Sequence, residues 1–107
     1  MSIKHDRAEN EIKESAAMFI AREQGGMSLI TVTRVMLSDD EKTCKVFVSI
    51  LPKNKEAEAL AFLKRKRGEM RDYIKEHIRM RATPFLDILL DRGEENRQRI
   101  DEIAREG

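Results

Sequence analysis

The chain has 107 residues, of which 40% are hydrophobic and 38% charged, and its net charge is +1. This length fits one domain that can remove roughly two-thirds of its unfolded surface from water, and no apolar run approaches the roughly 18 residues of a membrane span. The single cysteine, Cys44, excludes an internal disulfide, and without a CxxC motif or a Cys/His cluster the sequence offers no metal site.

Apolar positions Ala8, Ile12, Ala16, Phe19 and Ile20 recur at helical spacing, so residues 6–24 are expected to form an amphipathic helix. Gly25-Gly26 should end it, since glycine supplies the positive φ that helix C-caps favour. The period then changes. Leu29–Leu37 and Thr43–Leu51 are rich in β-branched residues and flank the polar cluster Ser38 to Lys42, which reads as a β-hairpin. In the second strand Cys44, Val46, Val48 and Ile50 share one face, where helices should pack. Cys44 is expected to act there as a small hydrophobe with an inert thiol. Core filling is the reading for Met36 and Met70.

Pro52 closes the strand, and Asn54 is placed to cap a helix whose apolar positions are Ala57, Leu60, Ala61 and Leu63. Gly68 interrupts that pattern. Beyond it Met70, Ile74 and Ile78 lie four apart on one face, flanked by Tyr73 and His77, so the helix resumes after a break. Pro84 biases Thr83 toward extended backbone, and Phe85 to Asp91 reads as a third strand with Leu86, Ile88 and Leu90 inward. After Gly93, a thin stripe of Ile100, Ile103 and Ala104 suggests a last helix. The order helix, strand, strand, helix, helix, strand, helix gives an α+β fold, a three-stranded sheet with helices packed on one face. Residues 1–92 would form the domain and 93–107 an acidic amphipathic helix or tail.

The small net charge conceals an uneven distribution. Residues 64–81 carry eight basic and three acidic side chains, whereas residues 87–107 carry four and seven. The basic group is Lys64, Arg65, Lys66, Arg67, Arg71, Lys75, Arg79 and Arg81. If the helix ran on through Gly68, Lys64, Arg67, Arg71, Lys75 and Arg79 would form one stripe beside the apolar one. Pairs such as Asp72 with Lys75 and Glu76 with Arg79 would make it an ordinary solvated face, but nothing acidic at helical reach balances Lys64 to Arg67. The pattern favours polyanion binding, with backbone N–H groups near Gly68, where the second helix starts, adding a phosphate site.

No GxxG loop, the clamp of K-homology domains, occurs in the sequence. Phe19, Phe47, Phe62, Phe85 and Tyr73 mostly fall where core or cross-strand packing would claim them, so shape and phosphate contacts should outweigh base stacking. His5 and His77 have no nucleophile or carboxylate partner at motif spacing, and Asp39-Asp40-Glu41 suits a turn better than a cation loop.

The ordered set of elements resembles the ribosome-binding factor A family. The likeness lies in the hairpin ITVTRVMLSDDEKTCKVFVSIL (Ile30 to Leu51), in IRMRATPFLDILLD (Ile78 to Asp91), and in RIDEI (Arg99 to Ile103). It implies a K-homology-like fold of type II, with a helix-kink-helix containing an Ala-x-Gly pattern in place of GxxG. Here Lys66-Arg67-Gly68 keeps the glycine and has Lys where that alanine would fall. The lone cysteine and the lack of a catalytic constellation suit a cytoplasmic, non-enzymatic factor, expected to be a monomer without cofactor or small-molecule substrate. By the same resemblance it would bind the immature small (30S) ribosomal subunit and its 16S rRNA and support rRNA maturation, particularly in the cold. The RNA-binding residues would be Lys64, Arg65, Lys66, Arg67, Gly68, Arg71, Lys75, Arg79 and Arg81. The alternative is a general K-homology-like RNA-binding module, or an adaptor that recruits a protein partner through its sheet face or last helix.

Overall fold

A computed structural model describes residues 3–24, 26 and 28–92. The elements, in order, are α1 (Ile3–Glu23), β1 (Leu29–Leu37), β2 (Thr43–Leu51), a 3-10 turn (Lys53–Lys55), α2 (Glu56–Arg65), α3 (Arg67–His77) and β3 (Phe85–Leu90). The expected last helix, with Ile100, Ile103 and Ala104, lies outside the described residues, as does Gly25. Gly26 adopts φ +82°, the left-handed conformation expected where α1 gives way to the loop.

The sheet order is β1-β2-β3, with β1 antiparallel and β3 parallel to β2. The hairpin supplies the first pairing. A parallel neighbour requires a crossover, and α2 and α3 together provide it. All helices pack on one face, and β2 forms the floor of the core, with Cys44, Val46, Val48 and Ile50 at most 2% exposed. Against it lie Ile12, Ala16, Phe19 and Ile20 of α1, Ala59 and Leu63 of α2, Met70 and Ile74 of α3, and Leu86 and Ile88 of β3. Ile78, just past α3, is also buried.

β1 keeps its inward pattern by shifting phase. Ile30 and Val32 face the core, a bulge falls at Thr33, and Val35 and Leu37 then face inward. The extra residue is tied down because the Thr33 hydroxyl lies within hydrogen-bond distance of the Phe47 carbonyl and the Asp91 carboxylate. Arg34 is thereby turned outward, its guanidinium carbon 4.2 Å from the Phe47 ring centroid. Glu9 of α1 and Gln24 just past its end cover backbone donors of β1: Glu9 Oε2 accepts from Leu37 N at 2.8 Å and Gln24 Oε1 from Ile30 N at 3.2 Å.

Several expectations need correction. Asn54 does not cap a helix; it sits in the 3-10 turn, and no side chain caps α2 at Lys55. Ala57 and Ala61 point to solvent while Ala59 and Leu63 face the core, because Ala59 lies one turn before Leu63 on the same helix face. Met36 is 48% exposed on the outer sheet face, so it fills no core. Leu90 is only half-buried, at the end of its strand.

Cys44 behaves as expected of a core side chain. Burial, assisted by the nearby Glu9 charge, pushes its thiol up to about 12 from an ordinary 9.0. The native protein at pH 8 should therefore not react with a thiol-specific chromogenic disulfide, whereas the urea-unfolded chain reacts at once. Rapid native-state labelling would contradict this packing.

Candidate nucleic-acid interface

The basic segment begins at the junction of α2 and α3. Lys66 leaves the helical conformation, at φ −90° and ψ 2°, and its N–H is shared between the carbonyls of Phe62 and Leu63, both at 3.1 Å. Its own carbonyl accepts from Met70 N at 2.9 Å and so starts α3. The break therefore falls at Lys66, and Gly68 lies in the first turn of α3, with no atom within 4 Å of where a Cβ would stand. Sequence reasoning put the break at Gly68 because glycine is the local helix breaker. The structure sets it by packing instead, since α3 lies against α1 while α2 lies over β2 and β3.

Lys66 fastens that arrangement. Its Nζ is 3.6 Å from Glu23 Oε1 at the end of α1 and 3.3 Å from Glu69 Oε2 in the first turn of α3. The run Lys64 to Arg67 thus does have acidic partners, one of them from a different helix. No side-chain hydrogen bond caps the start of α3.

Two further cations hold the approach to β3. Arg71 donates from Nη2 to the Thr83 carbonyl at 2.7 Å and from Nε to the Pro84 carbonyl at 3.2 Å. Arg67 sets its guanidinium over the Phe85 ring, 4.7 Å from the centroid. The eight cations among the nine expected residues accordingly separate into two groups. Lys66, Arg67 and Arg71 fasten α3 to its neighbours. Lys64, Arg65, Lys75, Arg79 and Arg81 are exposed, and among the described residues none of them makes an ion pair.

The single helical stripe is also corrected. α3 ends at His77, because Ile78 turns to φ −126° and ψ 130° and buries its side chain. Arg79 and Arg81 therefore lie on the connection to β3, off the helix. The alternative pairs Asp72–Lys75 and Glu76–Arg79 do not form among the described residues; the ion pairs at i,i+3 are Lys55–Glu58 and Lys66–Glu69. These surface pairs contribute only a few tenths of a kcal/mol each.

The other candidate groups resolve into local structure. Asp40 accepts from the Ser38 hydroxyl at 2.6 Å and the Lys42 N–H at 3.0 Å, which hold its carboxyl below the ordinary carboxylate range. Glu41 beside it takes φ 60°, so the acidic cluster forms the hairpin turn. His77 stacks on Tyr73 at 4.0 Å with Nδ1 2.8 Å from the Tyr73 carbonyl. Among the described residues no group of three His, Cys, Asp or Glu side chains is placed to hold a metal, and no helix is long and apolar enough to cross a membrane. Phe85 differs from expectation, with half its surface exposed at the first position of β3.

This geometry has counterparts. The family model described as ribosome-binding factor A matches residues 4–104. The chain belongs to the ribosome-binding factor A family. A Bdellovibrio bacteriovorus ribosome-binding factor A is 34% identical over 103 residues, 94% of this chain and 77% of that protein. Among solved structures, the crystal structure of ribosome-binding factor A from Thermus thermophilus superposes with a TM-score of 0.76 at 28% identity, covering 83% of this chain and 97% of that one. A model of the Thermus thermophilus factor fitted into a cryo-electron-microscopy map of a 30S complex gives 0.69 at 28% identity, covering 78% of this chain and 90% of that one.

Family and fold therefore agree: the chain is α+β and K-homology-like, and a helix-break-helix stands where other K-homology domains carry GxxG. Because the break at Lys66 needs no positive φ at Gly68, Gly68→Ala should keep the fold and raise stability by about 0.4–1 kcal/mol, read as a higher midpoint in urea. A loss of more than about 1 kcal/mol would show that the glycine itself makes the junction.

Proposed function

We propose that this chain is a ribosome assembly factor that binds the immature small subunit through its 16S rRNA and supports maturation of that RNA, particularly in the cold. It acts in the cytoplasm as a monomer. It uses no cofactor, metal or small-molecule substrate, and it performs no catalysis. The observation that carries the reading is a set of five exposed cations, Lys64, Arg65, Lys75, Arg79 and Arg81, around the helix junction and the approach to β3, with no ion pair among the described residues. Charges that make no ion pair among the described residues gain most from a polyanion, because each phosphate they neutralise releases a condensed counterion. The Thermus thermophilus factor fitted into a 30S complex supports the choice of polyanion.

The three fastening cations have a different part. Lys66, Arg67 and Arg71 keep α3 and the strand that follows it in fixed relation, so the free charges are presented in one geometry. Folded RNA is then selected by the spacing of its phosphates more than by its bases.

A second reading rests on the sheet face that, among the described residues, no helix covers. Leu29 and Leu51 are cross-strand partners there and are 58% and 56% exposed, an apolar pair suited to a protein partner. Charge reversal separates the two. Changing Lys64, Lys75 and Arg79 together to Glu touches no ion pair among the described residues, so the fold should stand. Co-sedimentation with immature small subunits should be lost at physiological salt. Undiminished co-sedimentation of the triple variant would favour the sheet face.

A further inference from the structure

Phe85 is misplaced for a core residue. It stands on the outer sheet face at the first position of β3, 50% exposed, while Leu86 and Ile88 beside it supply the inward side chains. Its backbone is held on both sides. The Phe85 N–H donates to the Lys42 carbonyl at 2.9 Å, Pro84 before it is fully buried, and Leu86 after it is 0% exposed. The ring is therefore presented to solvent from a rigid base.

Its surroundings are cationic. Arg67 lies over the ring, its guanidinium carbon 4.7 Å from the centroid, and a guanidinium carries five N–H donors that a ring contact does not consume. Arg71, on the same side of α3 as Arg67, donates from Nε and Nη2 to the Pro84 and Thr83 carbonyls. A guanidinium has five donors, so three of its N–H groups remain for another acceptor. An exposed aromatic ring with one guanidinium over it, and a second guanidinium held on the two carbonyls just before it, matches one nucleotide unit: a flat base beside a phosphate.

We propose that Phe85 is a stacking site for one unpaired RNA base, with Arg67 and Arg71 donating to the phosphates that flank it. The proposal rests on the RNA-binding reading above and adds to it a contact with a base. Only an unpaired base can serve, because a base inside a duplex already has both faces covered by its neighbours. The ligand is accordingly a single-stranded loop, bulge or end. A stacked base tolerates any sequence, so this contact selects for strandedness and leaves sequence unread. Arg67 has a double role: it shields one side of the ring in the free protein and becomes the phosphate partner in the complex.

The chain contains no tryptophan, so Phe85→Trp introduces a single indole as a reporter at this position. Its fluorescence should be quenched by a short unstructured oligouridylate and unaffected by inorganic polyphosphate of matched charge. Phe85→Leu, which keeps apolar bulk without a π-face, should bind the oligouridylate about 5- to 150-fold more weakly than the wild type and bind polyphosphate equally well. Phe85→Trp should restore the affinity that Phe85→Leu loses. If Phe85→Leu binds oligouridylate as tightly as the wild type, the base contact is wrong and the phosphate reading stands. If Phe85→Leu weakens polyphosphate binding as much as RNA binding, the ring merely positions Arg67 and the stacking role falls. If the wild type binds neither ligand, both readings fail together.

Discussion

Three helices have to cover a three-stranded sheet from one side, and the junction at Lys66 is what makes this possible. Ala59, Leu63, Met70 and Ile74 would share one face even on an uninterrupted helix, so the apolar repeat does not itself demand a break. The neighbours do. α2 lies over β2 and β3, whereas α3 also packs against α1, and a straight rod cannot follow both. Lys66 marks the change of direction and is held there by one carboxylate from α1 and one from α3. The positions of Arg67, Arg71 and the approach to β3 all follow from that turn.

Much of this architecture was legible in the sequence, for identifiable reasons. The hairpin strands could be bounded from their β-branched alternation, and Cys44, Val46, Val48 and Ile50 could be assigned inward because a strand has period two. The bulge at Thr33 was written there as well, in the switch from even apolar positions (Ile30, Val32) to odd ones (Val35, Leu37). The short alanine-rich α2 was read less well. Alanine gives little indication of facing, and it is the packing of Leu63 on the core that selects Ala59, one turn before it, over Ala57 and Ala61.

The interface divides along the same line. That residues 64–81 are basic needs only counting; which of the cations are free needs the tertiary fold. Arg71 is engaged by carbonyls twelve and thirteen residues away, Arg67 by a ring on β3, and Lys66 by the end of α1. None of those partners lies within a helical turn, so periodicity could not reveal them. Arg79 lies off the helix because Ile78 turns to extended backbone, ends α3 and buries its side chain. Alternation alone leaves Phe85 to core or cross-strand packing, whereas it stands half-exposed on the sheet face that no helix among the described residues covers.

The domain is K-homology-like, with some cations holding the scaffold and others exposed, and it is to the exposed ones that the proposed function assigns a polyanion. The binding free energy should then be largely that of counterion release, and its dependence on salt is the most direct test. With about five phosphates neutralised, a plot of log affinity for the immature small subunit against log salt concentration should fall with a slope of roughly −3.5 to −4.5. A slope near zero would contradict the account, because it would mean that the exposed cations around the helix junction take no part in binding.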